Sequence, residues 1–523
     1  MDRLICVPST HRDPEPPHYL TATCAVVHAM AAPAAASSRH GFLRLLAAAA
    51  VLAAFGLGAA RAAGSSDDRA PLSVASLFPG PACPTTAEHG PSAAASARMR
   101  IVHQHGPCSP LADAHGKRPA HDEILAADQN RVESIQRRVS ATAGRGKLTK
   151  RAAPVQPGPK KSPGHSASSS TPSLPATSGR ALSTGNYVVT VGLGTPASKY
   201  TVVFDTGSDT TWVQCRPCVV KCYRQKEPLF DPAKSSTYAN VSCSDPACDD
   251  LDSNGCTGGH CLYAVQYGDG SYTVGFFAQD TLTIAHDAIK GFRFGCGEKN
   301  SGLFGKTAGL MGLGRGKTSL TVQAYDKYGG AFAYCLPASS SGTGYLDFGP
   351  GSAGNNARLT PMLTDKGPTF YYVGMTGIRV GRQQVPIAES VFSTAGTLVD
   401  SGTVITRLPA TAYTALSKAF ATGMSASGYK TAPAYSILDT CYDFTGLSDV
   451  ALPTVSLVFQ GGACLDVDVS GIVYAISQAQ VCLAFASNGD DESVAIVGNT
   501  QQKTYGVLYD LGKKTVGFAP GSC

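Results

Sequence analysis

The chain has 523 residues, too many for one ordinary core, so more than one folding unit is expected. Its 57 glycines, 33 prolines and 15% charged residues exclude a coiled coil or helical bundle and favour strands joined by turns. The net charge of +6 is uneven: residues 1–180 hold 20 Lys/Arg against 11 Asp/Glu, residues 181–523 hold 23 against 26. The basic excess therefore sits in a low-complexity front segment without interleaved aromatics, which argues against a nucleic-acid-binding face.

In chain order, Leu45 to Ala60 is an apolar stretch of signal-peptide length, preceded by Arg39, His40 and Arg44. It ends in Ala60-Arg61-Ala62, an A-x-A-like cleavage site, and is too short and alanine-rich to cross a membrane. It lies deep in the chain, and initiation at Met30 would restore the usual distances, leaving residues 1–29 as a misassigned upstream start. Residues 1–62 are thus an N-terminal extension and signal peptide. Secretion to the extracellular space, the apoplast in a plant, is expected, with vacuole or plastid as the alternatives.

Residues 63–183 do not read as a compact domain. One helix is predicted, from Asp122 through Val139, with Ile124, Leu125, Val132 and Ile135 as a broken apolar stripe. Arg145 to Ser178 is rich in Lys, Pro, Ser and Gly and reads as a flexible, protease-accessible linker. From Asn186 onward short runs such as Tyr187–Val191 and Tyr200–Phe204 alternate with Gly/Pro turns, as in an all-β protein. Helical patches are predicted only at 319–328 and at 410–426, the second following Pro409.

Thirteen of the 17 cysteines follow residue 180. Disulfides in an oxidising compartment are the expected state of Cys215, Cys218, Cys222, Cys243, Cys248, Cys256, Cys261, Cys296, Cys335, Cys441, Cys482 and Cys523. Thirteen is odd, and Cys464 is taken as the leftover thiol. Cys215-x-x-Cys218 also fits a redox or zinc motif, a weaker reading in so cysteine-dense a stretch. His103 and His105 are read as a solvated loop and not as metal ligands. No metal and no cofactor is expected. Asn240-Val241-Ser242 is a candidate glycosylation acceptor.

An approximate repeat organises the β region. Val203-Phe204-Asp205-Thr206-Gly207-Ser208 is echoed by Leu398-Val399-Asp400-Ser401-Gly402-Thr403. Each copy is followed by two apolar residues and a glycine, ending at Gly312 (312 − 205 = 107 residues on) and at Gly498 (498 − 400 = 98). Two similar lobes are implied, 184–350 and 351–523, each supplying half of one site. In each copy an apolar strand delivers an aspartate to a turn that glycine lets bend tightly, while Thr206, Ser208, Ser401 and Thr403 offer hydroxyls to hold a carboxylate or bridge the loops. Two aspartates brought together cannot both ionise easily. They share a proton and divide into acid and base, which suffices to activate water against an amide without metal or covalent intermediate.

On these residues the chain from about Gly185 to Cys523 resembles the pepsin-family aspartic peptidases, specifically the plant nepenthesin-type branch. The resemblance implies a bilobal all-β fold with a few short helices and a cleft between the lobes, with Asp205 and Asp400 catalytic. It makes Tyr267-Gly268-Asp269-Gly270-Ser271 the flap, with Tyr267 packed on Trp212 and with Gly268 and Asp269 reaching toward substrate backbone. The cysteine-rich stretch from Cys215 to Cys261 is similar to that branch's insertion. Also implied are polypeptide substrates, pepstatin-like inhibitors, a monomer without a membrane span when mature, and an acid-active enzyme made as a zymogen. Its basic pro-segment, residues 63–183 with the linker, would pair Lys or Arg with the aspartates. Two rival functions are a peptidase fold recruited as an inhibitor or receptor, which loss of an aspartate or of the flap tyrosine would mark, and a carboxylate-pair glycosidase, which would not need the duplicated loops.

Overall fold

Tyr187–Leu193 and Ser198–Asp205 form an antiparallel hairpin with Val188 opposite Val203 and Val191 opposite Tyr200. Most side chains of both strands are buried, so β-branched and aromatic residues face protein on either side of the sheet. Gly309–Gly312 runs parallel to the second strand, placing Gly312 beside Asp205, and antiparallel to Trp212–Gln214. Gly309 permits that sandwich, because a Cβ there would lie 1.9 Å from the Trp212 carbonyl oxygen. The second half repeats the design. Thr397–Val399 pairs parallel with Ala495–Val497, which meets Thr406–Leu408 antiparallel at Arg407 and Ile496.

These features come from a computed structural model describing residues 68–78, 80, 82–83, 97–112, 120–148, 187–267, 270–302, 304–350, 352 and 356–523. The signal-peptide stretch, its cleavage site, Met30, the linker beyond Leu148, and Gly268 and Asp269 lie outside the described residues. The fold is the expected bilobal β-structure. Among the described residues a 15-stranded sheet runs from Arg358–Pro361 to Asn254–Thr257, and three smaller sheets carry most of the C-terminal half. Apart from single-turn helices, the described residues include two longer ones, His121–Leu148 and Ala410–Ser425. The first outruns its predicted end at Val139 and takes in 145–148 of the expected linker despite Gly144 and Gly146; no proline interrupts it before Pro154.

The described residues of the N-terminal segment pack into the core of the β region. Arg69–Ser73 pairs with Asp449–Pro453. Ala97–His103 is inserted in the large sheet between Thr343–Phe348 and Tyr187–Leu193. Leu72, Val74, Met99 and Ile101 are buried in the main hydrophobic cluster, and Arg98 pairs with buried Asp347 at 2.6 Å.

All twelve candidate cysteines are paired: Cys215–Cys296, Cys218–Cys222, Cys243–Cys256, Cys248–Cys261, Cys335–Cys523 and Cys441–Cys482. Cys215 and Cys218 bond elsewhere and not to each other, against a redox motif. Cys464 is free and buried, and burial beside Asp466 pushes its thiol up to about 11. An unexpected seventh bridge, Cys83–Cys108, lies wholly within the N-terminal segment.

Candidate active site

Asp205 and Asp400 are each about 1% exposed, a burial that a carboxylate tolerates only when its oxygens are satisfied. Each loop supplies two donors to its own aspartate. Gly207 N–H donates to Asp205 Oδ1 at 3.0 Å and Ser208 Oγ to Oδ2 at 2.7 Å. Gly402 N–H donates to Asp400 Oδ1 at 3.1 Å and Thr403 Oγ1 to Oδ2 at 2.6 Å. The loops are also cross-linked. Ser401 N–H donates to Thr206 Oγ1 at 2.9 Å, and Thr206 N–H to Ser401 Oγ at 3.2 Å. The Ser401 hydroxyl thus stands where the bridge requires it.

Close approach depends on the two glycines. A Cβ on Gly207 would lie 2.8 Å from Asp400 Oδ1, and one on Gly402 would lie 2.6 Å from Asp205 Oδ1. Each carboxylate therefore leans over the glycine of the opposite loop, where no other residue fits. The supports expected from the sequence (Thr206, Gly207, Ser208, Ser401, Gly402 and Thr403) all meet here.

The helix His121–Leu148 lies across this pair. Arg131 Nη2 donates to Asp205 Oδ1 at 2.7 Å and to Asp400 Oδ2 at 2.9 Å, and its Nε reaches Asp400 Oδ2 at 3.2 Å. One guanidinium thus binds both carboxylates in a fork only arginine offers. Burial raises the Asp205 carboxyl, but Arg131, Ser208 and Gly207 outweigh it and hold the group below its ordinary value. Burial likewise lowers the Arg131 guanidinium, and the two carboxylates more than restore it.

Other side chains of the helix fill the groove on either side. Gln136 and the backbone of Val494 exchange two hydrogen bonds, at 2.8 and 2.9 Å. Arg138 donates to the Gly207 carbonyl at 3.3 Å and stacks over the Phe370 ring. Val132 and Ile135 pack on Phe370, Tyr372, Leu398 and Ile496. Asp128 is buried, accepting from the N–H groups of Val404 at 2.6 Å and Ile405 at 3.2 Å and from Arg407 Nη2 at 2.9 Å. Burial pushes its carboxyl up against the pull of those donors. The void left beside the helix, lined by Arg131, Ile135, Tyr267, Phe304 and Leu310, is about 220 Å³, smaller than an ordinary ligand pocket of about 300 Å³ or more.

The segment expected to be the flap joins the antiparallel strands His260–Gln266 and Tyr272–Ile284. Tyr267 and Ser271 close a hairpin, with Tyr267 N–H donating to the Ser271 carbonyl at 2.8 Å. Trp212 Nε1 donates to the Tyr267 hydroxyl at 2.8 Å, and Phe304 packs edge-on to both rings. Phe304, Asp128, Arg131 and Arg407 were not singled out by sequence reasoning. For Asp128 and Arg131 a signal did exist, in the break of the apolar stripe. Asn240 is half-buried, its amide oxygen accepting from Tyr238.

Family models described as xylanase inhibitor N-terminal and C-terminal match residues 187–350 and 370–520. An aspartyl protease family protein of Arabidopsis thaliana is 46% identical over 432 residues, spanning 81% of this chain and 87% of its own. The chain belongs to the pepsin-family aspartic peptidases, in the plant nepenthesin-type branch. The Arabidopsis aspartyl protease AED1 is 44% identical, covering 86% of this chain and 92% of its own. Nepenthesin-2 of Nepenthes gracilis is 36% identical, covering 65% and 78%. Among solved structures, basic 7S globulin from soybean shares the peptidase fold, with a TM-score of 0.52 at 22% identity over 64% of this chain and 93% of its own.

Proposed function

We propose that this aspartic endopeptidase cleaves polypeptides with water activated between Asp205 and Asp400, and that residues 63–183 form a pro-segment keeping the enzyme latent until acid releases it. The observation carrying the proposal is Arg131, held by both aspartates at once. The guanidinium bonds both carboxylates and ties up the oxygens that an attacking water would need. Without it, one carboxyl keeps a proton. The ionised partner takes a proton from water as its oxygen attacks the peptide carbonyl carbon, while the protonated one donates to the carbonyl oxygen. Collapse of the tetrahedral intermediate then breaks the C–N bond and returns a proton to the leaving nitrogen.

The disulfides support an oxidising destination, in line with secretion to the apoplast, and pepstatin-like inhibitors should compete for the dyad. The description of the matching models as xylanase inhibitor supports a second reading, a binding protein on a peptidase scaffold. Retention of both aspartates, their hydroxyl donors and the flap tyrosine favours catalysis. The test is casein digestion by the acid-processed chain, with and without pepstatin. Asp400→Asn is expected to lower the rate by about 10²–10⁴-fold. A processed, folded wild type inert at every pH would favour the binding protein.

A further inference from the structure

Arg407 takes no part in the proposed chemistry. It stands seven residues beyond Asp400, as Trp212 stands seven beyond Asp205 in the other copy of the repeat. Trp212 supports the flap tyrosine, whereas Arg407 turns its guanidinium to the cleft helix. Nη2 bonds Asp128, Nη1 donates to the Ile405 carbonyl at 2.9 Å, and Nε has no hydrogen-bond partner among the described residues. The side chain is about 1% exposed. Val404 and Ile405 belong to a buried apolar cluster with Leu125, Leu438 and Ala486.

The donors that converge on Asp128 are the N–H groups of Val404 and Ile405 and the Arg407 guanidinium. All belong to the C-terminal lobe and stay when the helix leaves, whereas the carboxylate they hold goes with it. A buried guanidinium with a spare donor, flanked by two aligned N–H groups, is a poor host for an apolar side chain and a good one for a carboxylate. Its place along the cleft follows from Asp128 and Arg131 being three residues apart on one helix. They are offset by about 4.5 Å along its axis, which is one or two residues of an extended peptide at about 3.3 Å each.

We infer that the processed enzyme carries a carboxyl-accepting subsite, formed by Arg407 and the N–H groups of Val404 and Ile405, that selects substrates with an Asp or Glu side chain within two residues of the scissile bond. Asp128 occupies this subsite in the precursor as an internal substitute for that side chain. The inference rests on the peptidase and pro-segment reading above, and it names the substrate class that this reading leaves open.

The test uses the full chain after acid processing and peptides in which one Glu is moved through the two positions on each side of a fixed cleavable pair. Each is matched by a peptide with Gln there, at about pH 5, where a free Glu side chain is mostly ionised. At one position Glu is expected to raise kcat/KM by at least about tenfold over Gln. Arg407→Gln should bring that ratio toward one, and Arg407→Lys should keep part of it. The wild-type ratio alone decides the matter even where a variant fails to fold. An enzyme that cleaves these peptides with ratios near one at all four positions overturns the subsite and leaves the peptidase reading standing. A chain that never sheds its segment and cleaves nothing overturns both, since Asp128 would then fill the position permanently.

Discussion

At the scale of single residues, the helix His121–Leu148 is held to the cleft by two sets of ion pairs of opposite pH character. The groups facing Arg131 are Asp205, Asp400 and, one helical turn away, Asp128. Docking holds the Asp205 carboxyl below its ordinary value. The stability from this contact is therefore complete above the undocked pKa and is lost as pH falls through the docked one. The undocked dyad shares a proton, which moves the start of that window upward. Asp128 has the other sign. Its docked carboxyl is held up by burial, so lowering the pH through it favours docking. Acid should thus act at Arg131, while Asp128 serves as the acid-resistant anchor. Asp128→Asn leaves Arg407 without its countercharge and should weaken docking at neutral pH by about 3 kcal/mol. Acid release should also become steeper, because the opposing proton uptake at Asp128 is gone. Release rates from about pH 3 to pH 7 check this, and a variant with flattened acid dependence would contradict it. None of these roles was legible from composition. The sequence suggested only that some basic residue of the front segment meets the aspartates, because charge totals do not say which residue lands on the dyad.

At the scale of elements, the helix His121–Leu148 shows what a local pattern can and cannot reveal. Its apolar stripe was visible, and so was its interruption. Leu125, Asp128, Val132 and Ile135 follow the three- and four-residue spacing of one helix face, and all are buried. The break in apolarity is therefore a charged residue pointing into protein, not a lapse in amphipathicity. Removing buried methyl groups from this face should loosen docking without touching the dyad. Leu125→Ala is expected to cost about 2–4 kcal/mol, read as faster release of the segment with unchanged kcat in the processed enzyme. An unaltered release rate would mean that the stripe does not hold the helix. The inserted strand Ala97–His103 was not legible. Its partners are Thr343–Phe348 and Tyr187–Val188, and pairing over so many residues leaves no mark on the local sequence.

For the whole molecule, the duplicated strand-and-loop motif was enough to foresee two lobes meeting at two aspartates, since each copy alone builds only half of the site. Which of the thirteen cysteines after residue 180 pair was legible too, with Cys464 left over, but neither the connectivity nor the Cys83–Cys108 bridge was, because spacing allows many pairings. Cys335–Cys523 closes the longest loop, with a sequence separation of 188. Replacing both cysteines by serine should cost up to about 5 kcal/mol, seen as a lower midpoint in thermal unfolding. No disulfide among the described residues ties the N-terminal segment to the lobes, so once the linker is cut only sheet pairing, packing and ion pairs retain it. The most direct test of the account is peptidase activity of the uncleaved full chain from about pH 7 to about pH 4, comparing wild type with Arg131→Gln and checking integrity on gels. The expected result is a silent wild type at neutral pH that gains activity on acidification, and a variant active at higher pH without prior cleavage. A variant as latent as wild type, yet fully active once processed, would show that Arg131 is not the lock.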